Sequence, residues 1–126
     1  MPKSYTDAIY ETACPWDNPY QGEDKRVLFV CSAGLLRSAT GARLYAKKYN
    51  TRAAGSHPYA LIPVTSELLI WAQEVVFVNE ENYRHVVQDF DLDDFPCLVK
   101  VLNIPDQYEH MHPKLIEAFE QQYEPC

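Results

Sequence analysis

The feature that most constrains the fold is the alternation of short apolar runs with segments of helical periodicity. Residues 27–30 (VLFV) and 75–78 (VVFV) are continuously apolar, which is typical of strands that are buried on both faces. Residues 51–55 and 98–104 predict two more strands. Because strands that alternate with helices form parallel sheets with right-handed crossovers, we predict an α/β domain. Its four-stranded parallel sheet should carry helices on both faces.

The intervals between these strands carry the helical patterns. Small and apolar residues recur at spacings of three and four over 37–50, where Gly41 should weaken the helix slightly. Thr65 or Ser66 can cap a second helix over 67–73, and a polar helix follows at 80–88. The last helix is amphipathic and starts at Pro113, and its apolar face comprises Leu115, Ile116, Phe119 and Tyr123.

The chain divides into an N-terminal arm, residues 1–24, and one α/β domain, residues 25–126. Prolines and a glycine interrupt the arm at Pro2, Pro15, Pro19 and Gly22. A chain of 126 residues with 47% apolar content is long enough to bury a core without disulfides or a structural metal.

The charge is distributed unevenly along the chain. The net charge of −7 argues against a nucleic-acid-binding protein, because neutralisation of the phosphate backbone dominates that kind of affinity. Residues 25–52 nevertheless carry seven basic residues and no acidic one. Such a stretch is either a solvated helix face or the site of an anion.

Other features of the sequence suggest where the protein resides. No apolar run approaches the roughly 20 residues of a membrane helix, and the N-terminus lacks the layout of a signal peptide. The four cysteines form no Cys-x-x-Cys pair, and the histidines have no metal-ligand spacing. We therefore expect a cytoplasmic protein with reduced thiols, without a membrane partner, a metal or a cofactor.

The residues that carry chemistry follow the first predicted strand, at 31–38 (CSAGLLRS). In a strand-to-helix turn, backbone N–H groups, the helix N-terminus and the guanidinium of Arg37 can together bind a tetrahedral oxyanion. The same field stabilises a thiolate at Cys31, which would be a nucleophile aimed at phosphorus. The predicted phosphate-binding residues are Ser32, Ala33, Gly34, Leu35, Leu36 and Arg37. The alternative is that Cys31 is an ordinary buried residue and Arg37 lies on the surface of a helix.

These residues resemble the low-molecular-weight protein tyrosine phosphatase family, whose loop runs Val-Cys-x-Gly-Asn-x-Cys-Arg-Ser. Residues 52–55 (RAAG) look like the Ser-Ala-Gly after its second strand, and 76–80 (VFVNE) occupy the place of its third strand. Residues 104–108 (IPDQY) are similar to its Asp-Pro-Tyr acid loop. The likeness covers about residues 26–124 and is strongest to a compact branch that ends in Ile-Pro-Asp-x-Tyr.

The resemblance implies a monomeric hydrolase that forms a phosphocysteine and acts on a phosphotyrosine protein or a small aryl phosphate. Asp106, just past the fourth strand, is the candidate general acid and base, because ester cleavage needs a proton on the leaving oxygen. Ser38 is expected to donate a hydrogen bond to the Cys31 sulfur. Tyr108 and Tyr59 are the candidate walls of the substrate pocket.

The chain departs from the family pattern at three positions. The loop asparagine is Gly34, the serine of Ser-Ala-Gly is Ala53, and the second loop cysteine is Leu36. A glycine tolerates the left-handed backbone that an asparagine would adopt, so the shape of the loop can be kept. We expect the loop to be held by fewer side-chain hydrogen bonds.

Two other functions remain open from the sequence. Arsenate reduction on the same fold would need further cysteines to relay a disulfide, for which Cys97 and Cys126 are the candidates. A catalytically idle module that binds phosphate or phosphotyrosine would need neither a nucleophile nor an acid.

Overall fold

The computed structural model describes residues 25–32, 37–57, 60, 62–105 and 111–123. Over these ranges the predicted alternation of strands and helices is confirmed. The elements in chain order are β1 (Arg26–Cys31), α1 (Arg37–Leu44), β2 (Asn50–Gly55), α2 (Ser66–Trp71), β3 (Glu74–Phe77), α3 (Glu80–Asp89), a 3₁₀ helix (Leu92–Asp94), β4 (Leu98–Val101) and α4 (Pro113–Gln122).

The four strands form one parallel sheet in the order β2-β1-β3-β4, as the predicted fold class requires. In the register of the sheet, Cys31 lies opposite Gly55, and Val30 lies opposite Phe77. All strands therefore end on the same side, which we call the carboxyl edge. The side on which they begin is the amino edge. Ligands of open α/β sheets bind at the carboxyl edge.

Helices cover both faces of the sheet, and each face has its own core. On one face, α1 and α4 contribute Ala42, Leu115 and Phe119 to a cluster centred on the β1 side chains Val27 and Phe29. On the other face, α2 and α3 contribute Leu69 and Val86, which pack with Leu28, Val30, Val75 and Phe77. The consecutive apolar residues of β1 are thus divided between two cores, which explains why its sequence does not alternate.

Gly41 allows close packing on the first of these faces. A Cβ atom at this position would lie 2.7 Å from Phe29 Cδ1 and 2.9 Å from the Phe119 ring. The glycine that weakens the helix locally therefore lets α1 approach both β1 and α4.

Two predicted elements extend by three or more residues beyond the observed ones. The helix predicted over 37–50 ends at Leu44 and is followed by turns, so that Asn50 can begin β2. The strand predicted over 98–104 ends at Val101, although Leu102 and Ile104 still donate backbone hydrogen bonds to Phe77 and Val78. Thr65, one of the two predicted caps, accepts a hydrogen bond from the backbone of Leu68 at the start of α2.

No helix within the described ranges combines the length and the apolar content needed to cross a membrane. The predicted N-terminal arm, residues 1–24, lies outside the described residues.

Candidate functional site

Cys31 and Ser38, two of the predicted catalytic residues, are in contact at the carboxyl edge. Cys31 is the last residue of β1 and is 3% exposed, and Ser38 is buried in the first turn of α1. The Cys31 Sγ and Ser38 Oγ atoms are 3.0 Å apart. At this distance the serine hydroxyl can donate a hydrogen bond to a thiolate.

Arg37 lies beside them as the first residue of α1, and its side chain is only 3% exposed. Its Nη1 donates a hydrogen bond of 2.8 Å to the backbone carbonyl of Ile104, and its Nη2 donates one of 3.4 Å to Ser32 Oγ. This guanidinium is therefore not on a helix surface, as the alternative interpretation of the sequence required. It bridges the end of β1 and the segment that follows β4.

Asn82 is a polar residue of the site that the sequence analysis missed. It lies in the first turn of α3 and is 1% exposed. Its Nδ2 atom donates hydrogen bonds of 3.2 Å to Ser32 Oγ and of 3.2 Å to Ser56 Oγ. The available signal was its position shortly after the third strand, where parallel topology brings side chains to the carboxyl edge.

Asn79 connects the same helix to the Arg37 side of the site. Its Oδ1 caps α3 by accepting a hydrogen bond from the backbone N–H of Glu81, and its Nδ2 donates to the Ile104 carbonyl at 3.4 Å. The Ile104 carbonyl therefore accepts hydrogen bonds from both Arg37 and Asn79. Polar groups that follow all four strands thus meet at one edge.

Two histidines lie on the β2 side of this edge. The rings of His57 and His85 are 4.8 Å apart between centroids, and the backbone N–H of His57 donates to the Ser32 carbonyl at 3.1 Å. Over the part of the chain that the structure describes, no group of three histidine, cysteine or acidic side chains is placed to hold a metal ion.

The residues on either side of segment 106–110 are anchored to α1. Before the segment, the Ile104 carbonyl accepts the Arg37 hydrogen bond. After it, the backbone N–H of Met111 donates to Thr40 Oγ1 at 2.7 Å, and Met111 has a positive φ of 60°. Thr40 is buried one turn beyond Arg37. Both anchors therefore lie on the first two turns of the same helix.

Several predicted site residues lie outside the described ranges, so the structure neither places them nor separates them from Cys31. They are four residues of the phosphate-binding loop (Ala33, Gly34, Leu35 and Leu36), the candidate acid (Asp106) and both predicted pocket walls (Tyr59 and Tyr108).

Cys97, a candidate relay cysteine for arsenate reduction, directly precedes β4 at the amino edge. Glu74 of β3 lies opposite both Leu98 and Val27, so Cys97 is level with the residue before Val27. Along the strand direction, Cys97 and Cys31 are therefore about five residues apart. At about 3.3 Å per residue this is roughly 17 Å along the strands. Burial raises the pKa of the Cys97 thiol, which disfavours the reactive thiolate. Cys126 lies outside the described residues.

Comparison of the chain with family models, with curated proteins and with solved structures found no match.

Proposed function

We propose that the protein is a phosphomonoester hydrolase of the cysteine-dependent tyrosine phosphatase type. The observation that carries the proposal is the convergence of Cys31, Ser38 and the buried Arg37 guanidinium at the start of α1. A buried cation and the N-terminus of an eight-residue helix both favour an anion at this place. A phosphotyrosine protein or a small aryl phosphate is the proposed substrate.

The proposed reaction has two steps. In the first, the Cys31 thiolate forms a bond to phosphorus, the bond to the ester oxygen breaks, and Asp106 protonates the leaving oxygen. In the second, Asp106 takes a proton from water, which attacks the phosphocysteine and releases phosphate and the thiolate. Arg37 stabilises the charge on the phosphoryl oxygens, and the Ser38 hydroxyl stabilises the departing thiolate.

The anchors of the flanking segment support Asp106 as the acid. Asp106 follows Ile104 by two residues, and two residues span at most about 7 Å. The Ile104 carbonyl, two residues before Asp106 in the sequence, accepts the Arg37 hydrogen bond, which supports the choice of an acid from this segment.

The other two functions are less well supported. Arsenate reduction would need a relay cysteine near Cys31, and Cys97 lies at the opposite edge of the sheet. A module that only binds phosphate would have no use for the contact between the Ser38 hydroxyl and the Cys31 sulfur.

The test compares the wild-type chain with Cys31→Ser on a phosphotyrosine peptide, a phosphoserine peptide, p-nitrophenyl phosphate and arsenate. We expect hydrolysis of the aryl phosphates by the wild type and a loss of at least about 10³-fold in kcat for the variant, because a serine hydroxyl is not ionised near neutral pH. Far-UV circular dichroism should be unchanged. Retention of more than a few per cent of the activity would show that Cys31 is not the nucleophile, and turnover of arsenate alone would favour the reductase.

A further inference from the structure

We infer that Asn82 is a positioning residue that orients Arg37 and the start of the phosphate-binding loop through the hydroxyl of Ser32. The inference rests on the proposed function, because it assigns to Asn82 a part in holding the phosphate. It concerns a residue of α3, which is distant in sequence from the loop between β1 and α1.

The hydrogen bonds at Ser32 Oγ carry the argument. This oxygen accepts one hydrogen bond from Asn82 Nδ2 and one from Arg37 Nη2. A serine hydroxyl has two lone pairs and one proton, so both acceptor positions are then occupied and the O–H is left to donate. Asn82 thereby shares with Arg37 the control of the rotamer of Ser32 and makes its hydroxyl a donor.

A second hydrogen bond from the Asn82 side-chain amide holds this residue in position. Its Nδ2 also donates to Ser56 Oγ, in the segment that follows β2. The Ser56 backbone N–H in turn donates to the Cys31 carbonyl at 2.7 Å. The asparagine therefore joins the ends of β1 and β2 to α3, and its burial excludes water that would compete for these bonds.

The position of α3 is itself coupled to Arg37. Asn79 caps this helix and donates to the Ile104 carbonyl, which also accepts from Arg37 Nη1. Both terminal nitrogens of the guanidinium are thus bound to groups that residues at the start of α3 also contact. Nη2 donates to Ser32, which Asn82 contacts, and Nη1 donates to Ile104, which Asn79 contacts. Gly34 and Ala53, on the loop and on β2, carry no side-chain donor that could replace Asn82.

The experiment measures kcat and KM on p-nitrophenyl phosphate, and vanadate affinity from the protection of Cys31 against iodoacetamide. Asn82→Ala should lower kcat about 10- to 100-fold, because a catalytic cation that is slightly misplaced loses much of its effect. The dissociation constant of vanadate should rise about tenfold. Alanine is a better helix former than asparagine, so α3 should still form.

A double-mutant cycle separates positioning from a general structural role. If Asn82 acts through Ser32, then Asn82→Ala in a Ser32→Ala background should change vanadate affinity by less than about twofold. Losses that multiply in the double variant would overturn the inference. So would an Asn82→Ala protein that unfolds at lower urea concentration but keeps kcat and vanadate affinity.

Thr65→Ala is the matched control, since it removes a side-chain hydrogen bond from the start of α2 and touches none of the residues above. This variant should lower the free energy of unfolding while kcat stays within about twofold of the wild type. A loss of kcat as large as that of Asn82→Ala would overturn the inference.

The proposed function and the inference on Asn82 can fail separately. A wild type that binds vanadate but hydrolyses no phosphate ester would refute the proposed function. The double-mutant cycle, measured as vanadate affinity, would still decide the role of Asn82. If the wild type neither binds vanadate nor hydrolyses an ester, both are refuted.

Discussion

The two edges of the sheet both bury polar groups, but the amino edge buries a carboxylate with its donors, whereas the carboxyl edge buries a guanidinium beside a thiol. At the amino edge Glu74 is 7% exposed, and its carboxylate accepts a 2.6 Å hydrogen bond from the Tyr123 hydroxyl. Its second oxygen lies 3.4 Å from Lys25 Nζ, and this ammonium also sits 4.8 Å from the centroid of the Tyr49 ring. The amino edge therefore neutralises its own buried anion.

The carboxyl edge gathers groups that would suit an anion from outside. Parallel strands with crossover helices place the N-termini of α1 and α3 at this edge, beside the thiol of Cys31 and the guanidinium of Arg37. The difference follows from chain direction, since a helix N-terminus presents N–H donors and a helix C-terminus presents carbonyl acceptors. Under the proposed function, the carboxyl edge serves chemistry, whereas the buried ion pair at the amino edge contributes to stability.

The same comparison applies to the acid-free stretch 25–52, for which the sequence left both a solvated helix face and an anion site open. Arg37 lies at the carboxyl edge, whereas Lys25 directly precedes β1 and Arg26 begins it. Lys47 and Lys48 follow the C-terminal end of α1. Cations near a helix C-terminus interact favourably with its carbonyl groups. Much of the basic character of this stretch therefore belongs to the amino edge, and the proposed anion site depends on the placement of one arginine, Arg37.

Among the variants that test the role of the carboxyl edge, we expect Asp106→Asn to lose the most activity. If Asp106 protonates the leaving oxygen, the variant should lose about 10²- to 10⁴-fold on a phosphotyrosine peptide, with an unchanged unfolding midpoint. The loss should shrink on p-nitrophenyl phosphate, whose leaving group departs without a proton, and the basic limb of the pH profile should flatten. Equal losses on both substrates would assign Asp106 a structural role, and Glu109 would then be tested as the acid.

Arg37→Lys should produce the next largest effect. An ammonium cannot reproduce the two parallel hydrogen bonds of a guanidinium, so we expect kcat/KM to fall about 10²- to 10³-fold. Near-normal turnover in this variant would contradict the assignment of the carboxyl edge to phosphate binding. Steady-state kinetics with p-nitrophenyl phosphate measures the effect, and inhibition by vanadate checks that the same site is affected.

Tyr123→Phe tests the amino edge and should leave kcat unchanged. The variant leaves the buried Glu74 carboxylate without its phenol donor, so the free energy of unfolding should fall by about 1–3 kcal/mol near neutral pH. If the variant instead loses activity while its free energy of unfolding is unchanged, the assignment of the amino edge to stability is wrong. Urea denaturation and steady-state kinetics on the same samples supply both measurements.

The same variant has a pH signature. Burial, and then the Glu74 carboxylate, raise the pKa of Tyr123 above its ordinary value. Above about pH 10 the phenol ionises in the unfolded chain but stays protonated in the folded one, so the folded state binds more protons and stability falls as the pH rises. The phenylalanine variant lacks this contribution. The difference in free energy of unfolding between the wild type and the variant should therefore narrow as the pH rises from 9 to 10.5. A deficit that widens over this interval would contradict the shift.

The strands and the contact between Cys31 and Ser38 were predictable because they depend on neighbours in the sequence. Continuous apolar runs indicate burial on both faces wherever they occur. Cys31 ends β1 and Ser38 lies in the first turn of α1, so only seven residues of sequence separate the two side chains. Where the first helix ends was not predictable from its periodicity, since the apolar spacing continues beyond Leu44 into turns that lead to β2.

The parallel α/β class was readable from the sequence, because apolar runs and helical spacings are patterns within a few residues, and the family resemblance supplied the contact between Ser38 and Cys31. The order of the strands, the burial of Arg37 and the bonds from Asn82 to Ser32 and Ser56 depend on the packed structure. Asn82 and Ser32 are 50 residues apart, and Arg37 and Ile104 are 67 apart. Contacts at such separations form only when the packing of two cores brings the ends of all four strands to one edge, and no local pattern records that packing.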